Sequence, residues 1–154
     1  MTVVDRAAAR VLLVDRADRL LLLNGCDPEE PSRGSWWFTP GGGLDPGEDA
    51  RAAAARELAE ETGLVLPGAA LGEVVHERVA RFRFAGTDYR QAEVFFLARV
   101  DRHEVDSSGF TALELASVRG SRWWPRHELA TTSERVFPVD LPHVLERVLP
   151  ARAA

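Results

Sequence analysis

Residues 41–64 read GGGLDPGEDARAAAARELAEETGL. The second half predicts a helix: Ala50, Ala52, Ala53, Ala54, Ala55, Leu58 and Ala59 are strong helix formers, Pro46 and Gly47 prevent an earlier start, and Gly63 supplies a C-terminal stop. At about 3.6 residues per turn, Glu57, Glu60 and Glu61 stand at i, i+3 and i+4 on one face. Like charges one turn apart cost a few tenths of a kcal/mol (roughly), and acids near a helix C-terminus oppose its dipole. No Lys in the helix offsets them. A hard divalent cation such as Mg²⁺ would, because it prefers carboxylate oxygens shared with a substrate phosphate. Ahead of the helix, Gly41, Gly42 and Gly43 let the backbone approach a metal or a phosphate closely.

Gly42, Glu48 and the run Arg56-Glu57-Leu58-Ala59-Glu60-Glu61-Thr62-Gly63-Leu64 match the pattern G-x5-E-x7-R-E-U-x-E-E-x-G-U, with U apolar, at every defined position. In this the chain resembles the Nudix family. The resemblance implies an α/β fold, an α/β/α sandwich around a mixed β-sheet. It also implies a pyrophosphohydrolase that cleaves a nucleoside diphosphate linked to another group, with Mg²⁺ or Mn²⁺ as cofactor. Carried over residue by residue, Glu57, Glu60 and Glu61 would ligate metal with help from the carbonyl of Gly41. Arg56 and Glu48 would pair and orient the carboxylates. A merely solvated Glu face is the plainer account of an isolated E-x-x-E-E; the complete pattern in register favours the site.

With 154 residues, 45% hydrophobic and 28% charged, a single domain over residues 1–154 with a substantial core is expected. All 19 basic residues are Arg, and the chain has no Lys and no Ile, a bias consistent with a GC-rich genome. The net charge of −5 opposes binding to a nucleic-acid duplex, which needs a clustered basic footprint. The expected partner is a small nucleotide, with no nucleic acid and no membrane, and a homodimer is left open. Cys26 is the only cysteine, so an intrachain disulfide and a cysteine-based zinc site are excluded. No apolar run of about 18 residues and no secretory leader is present, which makes a cytoplasmic location the default expectation.

Ala8 to Val14 and Arg19 to Leu23 predict a β-hairpin of buried strands, followed by a polar loop from Asn24 to Ser35. Trp36-Trp37-Phe38 forms a short strand leading into the glycines, with one Trp in the core and the other free to flank a base. The candidate substrate-binding residues are Gly42, Gly43, Trp37 and Arg90. After Pro67-Gly68, Val74-Val75 opens one strand and Val79 to Phe84 alternates as another. A turn at Ala85 to Asp88 leads to a strand from Tyr89 to Val100. That strand places Ala92, Val94, Phe96 and Ala98 on one face and Gln91, Glu93, Phe95 and Leu97 on the other. Glu93 then needs a partner: Arg81, Arg83 or Arg90 across the hairpin, or the metal cluster.

Asp101 to Gly120 predicts mainly loop with one turn of helix. Because the resemblance implies that a further acid often comes from beyond this pattern, Glu114 is the first candidate there and Glu104 the second. Arg122-Trp123-Trp124 reads as a last strand, Pro125 as the opening of a short helix, and Asp140 as the cap of a terminal helix. The apolar positions of that helix are Leu141, Val144, Leu145, Val148 and Leu149.

The implied chemistry is attack of an activated water on a diphosphate phosphorus, with Glu57, Glu60, Arg56 and Glu114 as the catalytic candidates. Which carboxylate is the base stays open. Sequence markers of ADP-ribose, dinucleoside polyphosphate, NADH and coenzyme A hydrolases are absent, which leaves a nucleoside triphosphate or a nucleotide sugar by elimination. The alternative reading is a Nudix-fold nucleotide sensor without turnover, against which stands the full set of carboxylates. A third, isoprenoid diphosphate isomerase, is disfavoured because Cys26 has no evident acid-base partner.

Overall fold

In the computed structural model, which describes residues 2–149, strand β1 (Val3–Val14) is the wall between two cores. Its period-two alternation sends Ala9, Val11 and Leu13 to one face and Leu12 and Val14 to the other, all fully buried. Helix α1 (Ala50–Thr62) covers the first face with Ala53, Ala54 and Leu58, where Phe96 and Ala98 join it. Helices α3 (Arg126–Thr131) and α4 (Leu141–Val148) cover the second with Leu129, Leu141, Val144 and Leu145, against Phe95 and Trp124. The result is a mixed sheet between helices, as the resemblance implies.

Among the described residues the remaining strands are β2 (Leu20–Cys26), β3 (Ser35–Phe38), β4 (Gly41–Gly43), β5 (Val74–Phe84), β6 (Thr87–Arg99), β7 (Val118–Trp124) and β8 (Val136–Phe137). The order is β5-β6-β1-β2-β3-β8, with β4 on β1 and β7 on β2. β1 lies parallel to β6 from Val3↔Asp88 to Val14↔Arg99. The remaining α-helix is α2 (Ala112–Ser117).

Several expectations need correction. The first two strands do turn at Asp15, which accepts the Ala17 and Arg19 amides at 2.9 and 2.8 Å, but they pair only at Val14↔Leu20. Beyond that point β1 takes β4 as neighbour while β2 takes β3 and β7, so the sheet forks at the glycine strand. The expected loop after Leu23 is strand as far as Cys26. Val74 to Phe84 is one strand with an irregularity between Val74 and His76, because β6 pairs along its whole length. The strand holding Trp123 and Trp124 begins at Val118, and it is not the last, since β8 follows. Asp140 stands at the N-cap of α4, but its side chain makes no capping bond.

Candidate active site

Helix α1 starts where Asp49, in extended conformation, accepts the Ala52 amide at 2.8 Å, and it ends where Gly63 turns left-handed at φ 76°. These two ends fix the rotation of the helix, and with it the direction of its acids. Glu61 is buried and accepts the backbone N–H of Gly41 at 2.7 Å. Glu57 lies against Gly42 so closely that a β-carbon there would stand 2.6 Å from its Oε1. Only a glycine leaves that carboxylate its position.

Arg56 ties the cluster together. Its Nε and Nη2 form a fork on Glu48 at 2.8 and 2.9 Å, Nη1 donates to Glu57 at 3.0 Å, and Nη2 also reaches the Gly43 carbonyl at 3.1 Å. Glu48 further accepts the Asp45 amide at 2.9 Å. The Arg56 bonds, followed by that amide, hold the Glu48 carboxyl down at about 2, and the same fork pushes the Arg56 guanidinium upward. The helix and the loop ahead of it are thus fastened through one guanidinium.

Glu114 arrives from the other side. It is the N3 residue of α2, where its amide donates to Thr111 Oγ1 at 3.2 Å and its Oε1 accepts the Thr111 amide at 2.9 Å. The loop before α2 is docked on the end of α1. The Asp106 amide donates to the Thr62 carbonyl at 2.9 Å, His103 Nε2 lies 2.7 Å from the same oxygen, and a β-carbon on Gly109 would meet the Glu60 carbonyl at 2.8 Å. Carboxylate oxygens of Glu57, Glu61 and Glu114 consequently lie within 4.8 Å of one another.

Burial, followed by the Glu57 charge, pushes the Glu61 carboxyl well above the usual carboxylate range. Burial likewise raises Glu57, with Arg56 opposing and Glu60 and Glu114 adding to the rise. The donor set is all oxygen and its negative charges are crowded, an environment that a hard divalent cation fits.

The other expected site residues lie apart from this trio. Glu60 is half-exposed and turned toward Arg56 Nη1 at 3.3 Å. Gly43 contributes the carbonyl that Arg56 holds. Trp37 packs edge-on against Trp124, with ring centroids 5.2 Å apart, and donates its indole N–H to Glu134 at 3.1 Å. Arg90 is exposed, pairs with Asp5 at 3.5 Å, and occupies the sheet face shared with Ala92. Glu104 is exposed.

Glu93 is nearly fully buried and ion-paired, but not with Arg81, Arg83 or Arg90. Arg10 Nε at 2.7 Å and Arg78 Nε at 2.6 Å hold it, and Gln91 Nε2 donates at 2.6 Å. Arg78 lies directly across the ladder from Glu93, and Arg10 shares its face, whereas Arg81 and Arg90 oppose each other on the reverse face. Burial would raise this carboxyl; the two guanidiniums outweigh it and keep it below its ordinary value. Sequence reading did not find Arg10 and Arg78, because the alternation of β1 and of β5 marks them only as polar positions.

The chain belongs to the Nudix family: the NUDIX domain model matches residues 4–145. Among curated proteins it is similar to an RNA pyrophosphohydrolase of Dinoroseobacter shibae, 44% identical over 61 residues, which are 40% of this chain and 36% of that protein. It is also similar to the uncharacterized Nudix hydrolase YvcI of Bacillus subtilis, 41% identical over 66 residues, 43% of this chain and 37% of that one. The matched segments thus span little more than a third of these relatives' lengths. Among solved structures, the MutT protein from Methanosarcina mazei Go1 superposes with a TM-score of 0.63 at 18% identity, covering 96% of this chain and 94% of that one. The NUDIX domain of Shewanella oneidensis NrtR, complexed with ADP ribose, gives 0.64 at 20% identity over 93% and 87%. At such identities the likeness is one of fold. No helix among the described residues is long and apolar enough to cross a membrane.

Proposed function

We propose that residues 1–154 form one Nudix domain that hydrolyses a nucleoside diphosphate linked to another group, with Mg²⁺ or Mn²⁺ bound. The observation that carries this reading is the convergence of Glu57, Glu61 and Glu114 beside Gly41 and Gly42. These three carboxylates would hold the cation, with Glu60 at the rim. When bound, it would neutralise charge on the phosphoryl oxygens.

The chain's own residues do the rest. Arg56 fixes Glu57, and the Gly41–Gly43 strand, which has no side chains, leaves room for a phosphate beside it. A carboxylate of the cluster accepts the proton of the attacking water as the diphosphate bridge opens. Glu57, Glu61 and Glu114 each accept one hydrogen bond at Oε1, from Arg56, the Gly41 amide and the Thr111 amide, so each keeps a second oxygen for this step.

The test is release of phosphate, pyrophosphate or nucleoside monophosphate from a panel in Mg²⁺, Mn²⁺ or chelator. The panel holds nucleoside triphosphates, nucleotide sugars, ADP-ribose, dinucleoside polyphosphates, NADH and a 5′-triphosphorylated RNA. Metal-dependent turnover of a small nucleotide is expected. Turnover of the RNA alone would overturn the expectation that no nucleic acid is bound, and silence with tight nucleotide binding would leave a sensor in place of an enzyme.

A further inference from the structure

On the sheet face that carries Gln91 and Glu93, three arginines turn inward by the same atom. Arg10 Nε and Arg78 Nε hold Glu93, and Arg6 Nε holds Gln91 Oε1. Gln91 and Glu93 are themselves buried and bonded to each other. The outer nitrogens are used far less: Arg10 Nη1 donates to the Thr39 carbonyl at 2.9 Å, and the Nη atoms of Arg6 and Arg78 have no hydrogen-bond partner among the described residues. Three positive charges over one negative leave a net excess of two on a small area, and guanidinium forks whose ends are open are built to receive oxyanions. A plain core ion pair would need only one arginine.

The glycine strand joins this shelf to the carboxylates. β4 pairs with β1 alone, Gly43 opposite Ala8 and Gly41 opposite Arg10. Gly42 turns toward Glu57. Gly41 and Gly43 turn the other way: a β-carbon on Gly41 would stand 2.6 Å from Arg10 Cγ, and one on Gly43 would stand 3.6 Å from Arg6 Cδ. Glu57 is among the charges acting on Arg6, and Arg10 among those acting on Glu61. Beyond Arg6 the face continues into Tyr89, over whose ring the guanidinium sits at 4.6 Å, and Phe82, stacked on Tyr89 at 5.3 Å.

We infer that Arg6, Arg10 and Arg78, braced from beneath by Glu93 and Gln91, bind a phosphate beyond the one held at the carboxylates, and so select a nucleoside triphosphate over a nucleotide sugar. This rests on the hydrolase reading above and deepens it. A sugar offers hydroxyls where a triphosphate offers an anion, and only the anion satisfies open guanidinium ends.

Two measurements on the full chain test it. The first is kcat/KM for a nucleoside triphosphate and for a nucleotide sugar in the unmodified protein, Arg78→Gln and Arg81→Gln. Arg81 lies on the same strand, faces the opposite side, and serves as control. Arg78→Gln should lower kcat/KM for the triphosphate by about tenfold through KM and that for the sugar by under about threefold, with Arg81→Gln unchanged on both. Equal losses on both substrates, or none, would overturn the inference. The second is calorimetric binding of inorganic triphosphate in chelator, where the carboxylates contribute no metal. Arg78→Gln and Arg6→Gln should weaken it by about tenfold, and unchanged binding in both sinks the shelf whatever the turnover. Binding that depends on Arg78 in a protein silent toward every nucleotide would instead keep the shelf and reject the hydrolase.

Discussion

The amide of Gly41 donates to the carboxylate of Glu61 across 2.7 Å, so a residue of the glycine strand and a buried acid near the end of α1 are joined at the point where phosphate is expected. Gly41 adopts φ 152°, and a β-carbon there would stand 2.4 Å from the Ala9 carbonyl. Its neighbour Gly42 has no such backbone restriction and would touch only the end of the Glu57 side chain.

The two glycines should therefore fail differently. Gly42→Ala is expected to fold with a melting temperature within about 3 °C of the parent while losing about tenfold or more in turnover, because Glu57 must swing away. Gly41→Ala should destabilise by more than about 1 kcal/mol, since backbone has to move. Thermal unfolding beside turnover checks both; a Gly42→Ala protein of full activity would show that the position of Glu57 is unimportant.

Arg56→Lys keeps the charge and loses the fork. The guanidinium bonds Glu48, Glu57 and the Gly43 carbonyl together, and an ammonium cannot reach all three in their present places. We expect a loss of about 2 kcal/mol in urea unfolding together with at least a tenfold fall in turnover. Stability lost without activity lost would mean that Arg56 only fastens the loop.

Glu60→Gln should unfold within about 2 °C of the parent, because Glu60 is half-exposed, yet lose most turnover if Glu60 adds to the cation site. Full turnover at low Mg²⁺ would take Glu60 out of that site and leave the Glu57, Glu61 and Glu114 trio alone. Glu114→Gln offers the comparison from the opposite wall.

Stability should depend on pH with a definite sign. Glu57 and Glu61 have folded values raised above the ordinary 4.5, so the folded protein binds their protons more tightly than the unfolded chain does. The stabilisation is fully present below about 4.5 and is lost as pH rises through the raised values. Glu48 runs the opposite way: held at about 2, it contributes above 4.5, and that contribution fades as pH falls toward 2. Without metal, the melting temperature should decline as pH rises above about 4.5, and Glu61→Gln should flatten the decline. Mg²⁺ should raise it more at the alkaline end, with protons released on binding. A metal effect independent of pH would contradict the assignment.

The helix from Ala50 to Thr62 was legible because its caps, its alanines and its acids all agree. The alternation of Tyr89 to Val100 was legible too, since Phe95 and Phe96 do enter opposite cores. What the sequence could not announce was pairing at a distance. Nothing near Val14 says that β1 leaves β2 after one residue pair to take the glycines. Arg10 and Glu93, 83 positions apart, meet only because β1 and β6 lie side by side. Glu114 was the better case. Thr111-Ala112-Leu113-Glu114 has the T-x-x-E form of a capping box, a signal for a helix start where mainly loop was expected.

The parallel ladder of β1 on β6 has one further consequence. Ala9 sits under helix α1 and Arg10 on the arginine side, one residue apart. A slip of a single position would bring Arg10 to the place of Ala9 beneath α1 and Val11 to the place of Arg10 beside Glu93. The alignment between the place where a bond would be cut and the place where the rest of the molecule would be gripped is therefore gauged by one strand. Its twelve residues act as the ruler of the site.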